Sequence, residues 1–96
     1  MLWRLGAPSQ FVREVACQIL GQLGDLRATP DLLRMLDDPA LPVRRAAGFA
    51  LAALKDPEAG PALRQHYENR GEEINVRMAL ECAMNAIGMR YRRIVP

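Results

Sequence analysis

The side chains best equipped for chemistry in this sequence are two cysteines, Cys17 and Cys82, and a single histidine, His66. A nucleophilic thiol needs an imidazole within hydrogen-bond reach and a third group to orient it. A zinc or iron site needs several such donors at compatible spacing. One histidine supplies no His pair, and nothing in the spacing brings a carboxylate or a thiol to it. The residues therefore predict no catalytic centre, no metal and no cofactor. Cys17 and Cys82 fall in helical segments two packed layers apart, about 20 Å if each layer adds about 10 Å. A disulfide spans Cα atoms within about 7 Å, so both are expected as free thiols, buried or partly buried.

The remaining candidates are charged. Arg13, Arg44 and Arg77 recur at one register position, each directly after a valine, and such a row is either a basic ladder for an acidic ligand or a set of structural ion pairs. Asp25, Asp38 and Asp56 are available as partners for the second use. The last seven residues hold Arg90, Arg92 and Arg93 around Tyr91, an arrangement able to stack on bases and pair with phosphates. The alternatives are a soluble end behind a helix or a cap folded back through Tyr91, Ile94 and Val95. The net charge of +2 lies in that tail, since residues 1–89 carry 10 Lys and Arg against 11 Asp and Glu. A neutral body argues against general attraction to nucleic acid.

The elements that must position these residues are helices. Half of the 96 residues are apolar and only 5% aromatic, the palette of closely packed Ala, Leu, Val, Ile and Met. Laid over itself the chain matches at an offset of 31, Val12-Arg13-Glu14-Val15-Ala16 on Val43-Arg44-Arg45-Ala46-Ala47, and at a further offset of 33 on Val76-Arg77-Met78-Ala79-Leu80. Self-similarity at this period marks a repeat array. In each copy the apolar positions run i, i+3, i+4, i+7, i+8, i+11: from Val12 to Leu23, from Val43 to Leu54 and from Val76 to Ile87. Ser9 is placed to cap the first of these helices and Pro42 to open the second. Shorter second helices follow Pro30, with Leu32 and Leu36, and Pro61, with Leu63 and Tyr67.

These units, V-R-x-x-A-x-x-x-L-x-x-L-G-D followed by A-x-P-x-L-x-x-x-L over Val12 to Leu36 and again over Val43 to Tyr67, resemble HEAT-like repeats of the phycobilisome-lyase type. The resemblance covers roughly residues 2–88. It implies an all-α solenoid of about two and a half helical hairpins, in which the Val-Arg arginine bonds a turn carboxylate of an adjacent unit and the second helix of each hairpin lines a concave face. On that face Asp31, Arg34, Asp37 and Asp38, then Arg64, Gln65 and Glu68, lie off the apolar stripes. Arg34, Asp37, Arg64, Gln65 and Glu68 are the expected contacts for a protein partner. Their mixed signs disfavour a DNA groove, which needs aligned cations.

In this register residues 1–8 form part of a second helix, 9–38 and 39–71 two hairpins, 72–88 a third first helix, and 89–96 a basic tail. Both ends thus cut through a repeat, which predicts bare apolar surface at Trp3 and Leu5 on one side and at Leu80, Met84 and Ile87 on the other. The expected outcome is a homo-oligomer, a dimer in the simplest case, or membership of a longer solenoid. No apolar run spans a bilayer and no signal peptide precedes the first helix, so a cytoplasmic scaffold that binds protein is the leading reading. Nucleic-acid binding through the tail and bilin-lyase-like chromophore binding are the alternatives.

Overall fold

The computed structural model describes residues 6–69 and 72–89. Five helices follow one another: α1 (Gln10–Leu23), α2 (Thr29–Met35), α3 (Leu41–Leu54), α4 (Gly60–Asn69) and α5 (Ile74–Ala86). Short 3₁₀ turns at Leu26–Ala28 and Pro57–Ala59 lead into α2 and α4. The longer helices α1, α3 and α5 stack side by side, while α2 lies against α3 and α4 against α5. This is the α-solenoid that the repeat predicts, with no strand among the described residues.

Local chemistry sets the helix ends where the repeat places them. The Ser9 hydroxyl accepts from the Val12 amide at 3.4 Å, and Glu73 caps α5 through the Asn75 amide at 2.8 Å. Pro42 sits in the first turn of α3, where no intrahelical donor is lost. Each long helix is followed by a left-handed residue at the same register position: Gly24, Lys55 and Gly88, with φ of 72, 55 and 87°. That conformation ends a helix by turning its last carbonyls toward the next residues' amides. Asp25 and Asp56 then cap the 3₁₀ turns through the amides of Arg27 and Glu58, both at 3.0 Å.

The core splits the predicted apolar stripe into two rows. One row, Val43-Ala47-Leu51 on α3 and Val76-Leu80-Met84 on α5, points toward the shorter helices and is 0–2% exposed throughout. It meets Leu32 of α2, Leu36 at its C-terminal cap, and Leu63 and Tyr67 of α4 in one core cluster. The other row, Ala46-Ala50-Leu54 on α3 and Ala79-Ala83 on α5, is buried along the stack of long helices. All six stripe positions of α3 are buried, as the spacing predicts.

The end helices depart from the sequence reading. Leu80 and Met84, expected as bare apolar surface, are 1% and 0% exposed. They belong to the row that faces inward, so no further layer is needed to cover them. Conversely Val15, Ile19 and Leu23, expected in the core, are 43%, 49% and 57% exposed. They belong to the row that faces the preceding long helix, and α1 has none among the described residues.

The spacing of the stack rests on two contacts without side-chain bulk. A Cβ on Gly21 would lie 2.8 Å from Ala50 Cα, and one on Gly48 would lie 2.8 Å from Ala79 Cβ. Neither neighbour can give way, since one is backbone and the other the stub of an alanine. Gly21→Ala and Gly48→Ala each gain about 1 kcal/mol of helix propensity but force the helices apart, at about 1–3 kcal/mol for overpacking. We expect both variants to unfold at lower urea concentration than wild type, by up to about 2 kcal/mol net, read from circular dichroism at 222 nm.

Candidate interaction surfaces

The arginine row is structural. Arg13 donates from Nε and Nη2 to the two oxygens of Asp38, at 2.8 and 3.0 Å, and from Nη1 to the carbonyls of Ala7 and Pro8. Arg44 repeats the pattern one layer on. Its Nε donates to both oxygens of Glu72, at 3.1 and 3.2 Å, and its Nη1 to the carbonyls of Asp38 and Pro39. Each guanidinium thus ties the loop before its own helix to the loop before the next long helix. Arg77 donates to the Tyr67 carbonyl at 3.2 Å and lies 4.1 Å above the Tyr67 ring, while the Tyr67 hydroxyl donates to Glu81.

Of the three aspartates expected to receive this row, Asp38 does so. Asp25 instead pairs with Arg27 at 2.7 Å, and Asp56 caps its own turn. Glu72 takes the second place, from the loop that carries the two residues inserted before Val76. Asp38 also leaves the predicted partner-binding face, being 7% exposed. Burial pushes the Asp38 carboxyl up, but hydrogen bonds from Arg13 and the Ala40 amide, with the charges of Arg13 and Arg44, hold it below its ordinary value of 3.8. Asp25, hydrogen-bonded by Arg27, is lowered to about 2.

The thiols divide. Cys17 is buried, and desolvation pushes it up to about 12, so it is an inert core residue. Cys82 is exposed rather than buried or half-buried, because it stands on the outer face of α5. His66 Nδ1 is 2.9 Å from the Ala62 carbonyl, and Nε2 is 3.3 Å from Asp37. Both neighbours are acceptors, so only a ring protonated on both nitrogens donates to each and links α4 to the turn after α2. No group of three or more His, Cys, Asp or Glu side chains is placed to hold a metal among the described residues.

On the face formed by α2 and α4, Arg34 pairs with Asp31 and Asp37 meets His66, and the two side chains stay 69% and 59% exposed. Arg64, Gln65 and Glu68 are exposed. They line one wall of a groove of about 560 Å³ whose other wall is Ile87 and Met89 at the end of α5, with Pro57, Gly60 and Pro61 at its base. Ile87 was expected at a bare end and Arg64, Gln65 and Glu68 on a concave face; the fold brings the two sets together. Met89 escaped the sequence reading. Its signal is that it replaces the turn-capping Asp25 and Asp56 of the earlier units with an apolar side chain.

The profile of the HEAT-repeat family matches residues 1–84. The chain belongs to the HEAT-repeat family. Over 52 residues it is 44% identical to phycocyanobilin lyase subunit alpha of Nostoc sp., a stretch covering 54% of this chain and 19% of that protein. The chain therefore spans about a fifth of the length of that relative.

Two further HEAT-repeat surfaces stand out. A groove of about 430 Å³ runs between α1 and α3, with Gly21, Ala46 and Ala50 beneath it and Glu14, Arg45 and Phe49 at its rim. On α1 itself Phe11, Val15, Ile19, Leu23 and, beyond the helix, Leu26 are 43–73% exposed. Trp3 and Leu5, and the tail residues Arg90, Tyr91, Arg92 and Arg93, lie outside the described residues.

The Arg13–Asp38 pair has a pH signature. Because the folded-state carboxyl titrates below its unfolded value, its contribution is fully present above about pH 4 and is lost as pH falls through the lowered folded value. We expect thermal stability to be flat from pH 7 to about pH 5 and to fall below about pH 4. Asp38→Asn should be destabilised at pH 7 and should flatten that acid limb, as followed by melting in a pH series.

Proposed function

We propose that this HEAT-repeat chain is a non-enzymatic, cytoplasmic scaffold module that holds a helix of a protein partner in the groove between α4 and the end of α5. The observation that carries the reading is the groove's construction. An apolar wall of Ile87 and Met89 faces a polar wall carrying one cation, Arg64, and one anion, Glu68. An amphipathic helix fits such a groove, its apolar stripe on the methionine and isoleucine and its flanking charges on the rim. Phosphate backbones call for several aligned cations, and this rim offers one of each sign.

Support also comes from the family, whose repeats generally serve protein contacts, and from the absence among the described residues of any helix long and apolar enough to cross a membrane. The test is a charge exchange on exposed positions, Arg64→Glu with Glu68→Lys, which leaves the core untouched. We expect extract from the native host to yield a protein retained by the wild-type chain and depleted about tenfold or more, near 1.4 kcal/mol, by the exchanged variant. If the two chains retain the same proteins in the same amounts, the groove is not the contact.

A second reading follows from the relative whose name specifies phycocyanobilin. In that reading the chain contributes to binding a bilin chromophore. It requires that added phycocyanobilin change its visible absorbance on mixing with the purified chain, and an unchanged spectrum removes it.

A further inference from the structure

The groove between α4 and the end of α5 has a counterpart one unit earlier, and there the fold supplies an occupant. With the offsets of 31 and 33 that relate the units, Gly60, Arg64 and Glu68 correspond to Thr29, Leu33 and Asp37, and Ile87 and Met89 correspond to Leu54 and Asp56. Beside that earlier surface stand the turn Pro57–Ala59 and α4. Asp56 caps the turn through the Glu58 amide, and His66 of α4 reaches Asp37 at 3.3 Å. Leu54 is 7% exposed, whereas Ile87 is only partly buried. The segment that suits such a surface is therefore a short helix of the kind that ends each hairpin.

Residues 90–96 do not repeat that helix. Arg92 takes the place of Ala28 and Ala59, both 2% exposed, and Pro96 that of Leu32 and Leu63, 0% and 1% exposed. A charge at a buried position and a proline inside a helix both oppose the register. Units that repeat one hairpin stack in the same sense, so α2 and α4 run parallel. Asp37 and His66 fix their alignment, and one turn earlier on each helix face Leu33 comes opposite Ala62. The groove offers the same two places with other side chains, Arg64 for Leu33 and Glu68 for Asp37. Neither Arg64 nor Glu68 makes an ion pair among the described residues.

We propose, on the reading that this groove holds a partner helix, that the helix runs parallel to α4 and carries a carboxylate four residues before a cation. The carboxylate meets Arg64, at the place that Ala62 takes one unit earlier, and the cation meets Glu68, as His66 meets Asp37. A small apolar residue in the first turn of the partner helix, the place of Ala59, lies on Ile87 and Met89. Turned antiparallel, the same helix sets its cation on Arg64 and its carboxylate on Glu68, like charge on like at both places. The order of the two charges thus selects the direction of the helix as well as its identity.

The probe is a synthetic peptide with the sequence of Asp56–Asn69, blocked at both ends and carrying Ala62→Glu and His66→Lys. Its control carries the charges in the opposite order, Ala62→Lys and His66→Glu. Each is titrated into the full chain, with the methyl signals of Ile87 and Met89 followed by NMR, which registers weak binding as well as tight. We expect saturable shifts with the first peptide and a dissociation constant about fivefold or more higher for the control, the scale of two exposed charge pairs. The R64E/E68K chain, altered only at exposed positions, should reverse that preference. Equal binding of the two peptides overturns the proposal, and so does a preference that R64E/E68K leaves unchanged. Silence of both peptides at millimolar concentration overturns it too. A host protein whose retention depends on Arg64 and Glu68 would still mark the groove as a contact in that case, so the two readings fail separately.

Discussion

Three long helices can stack in register here only if their axes approach closely at two points, Gly21 on Ala50 and Gly48 on Ala79. The rest of the molecule takes its position from those contacts. They bring Val43, Leu51, Val76 and Met84 to a common depth, where α2 and α4 can cover them with Leu32, Leu36, Leu63 and Tyr67. Were the helices about 2 Å further apart, as a larger residue at either point requires, the shorter helices would bridge a gap instead of closing a core. Close packing of small residues along the stack and large ones beneath it divides the work between the two apolar rows.

Charge then fixes the loops to the stack. Arg13 and Arg44 each hold the carbonyls of the loop before their own helix and a carboxylate of the loop before the next. The successive loops therefore keep the pitch that the helices set. These guanidinium groups and their carboxylates are largely shielded, with side chains 5–15% exposed, and each pair is accompanied by further backbone hydrogen bonds. Such satisfaction is what makes a shielded ion pair tolerable. The same engagement removes this row from any role in binding an acidic ligand.

The two ends of the stack are unlike. At α5 the outward face mixes Arg77 and Glu81, tied to the fold through Tyr67, and Asn85 with half-exposed Ile74 and Met78. At α1 the corresponding exposed surface is Phe11, Val15, Ile19 and Leu23. One end thus interleaves charge with apolar side chains, and the other is apolar along its whole row. Beside the mixed end, the groove of Arg64, Glu68, Ile87 and Met89 offers both kinds of contact. The assignment of a partner to that groove is our proposal; the contrast between the two ends is a property of the fold.

Much of the architecture was legible from residue types alone. The 3.6-residue period, the repeat of about 31 residues, and the capping chemistry at Ser9 and Pro42 act through local backbone geometry, which a sequence encodes position by position. The structural use of the Val-Arg arginines came from the family resemblance, and the pairs themselves join residues 25 and 28 apart in the chain, Arg13 with Asp38 and Arg44 with Glu72. What periodicity could not decide was which side of each helix has a neighbour. Val15 and Ile19 carry the same spacing as Ala46 and Ala50, and Leu80 and Met84 read as a terminal stripe. Only the stacking order put the first pair in solvent and the second in the core, because burial belongs to the space between helices and not to any one of them.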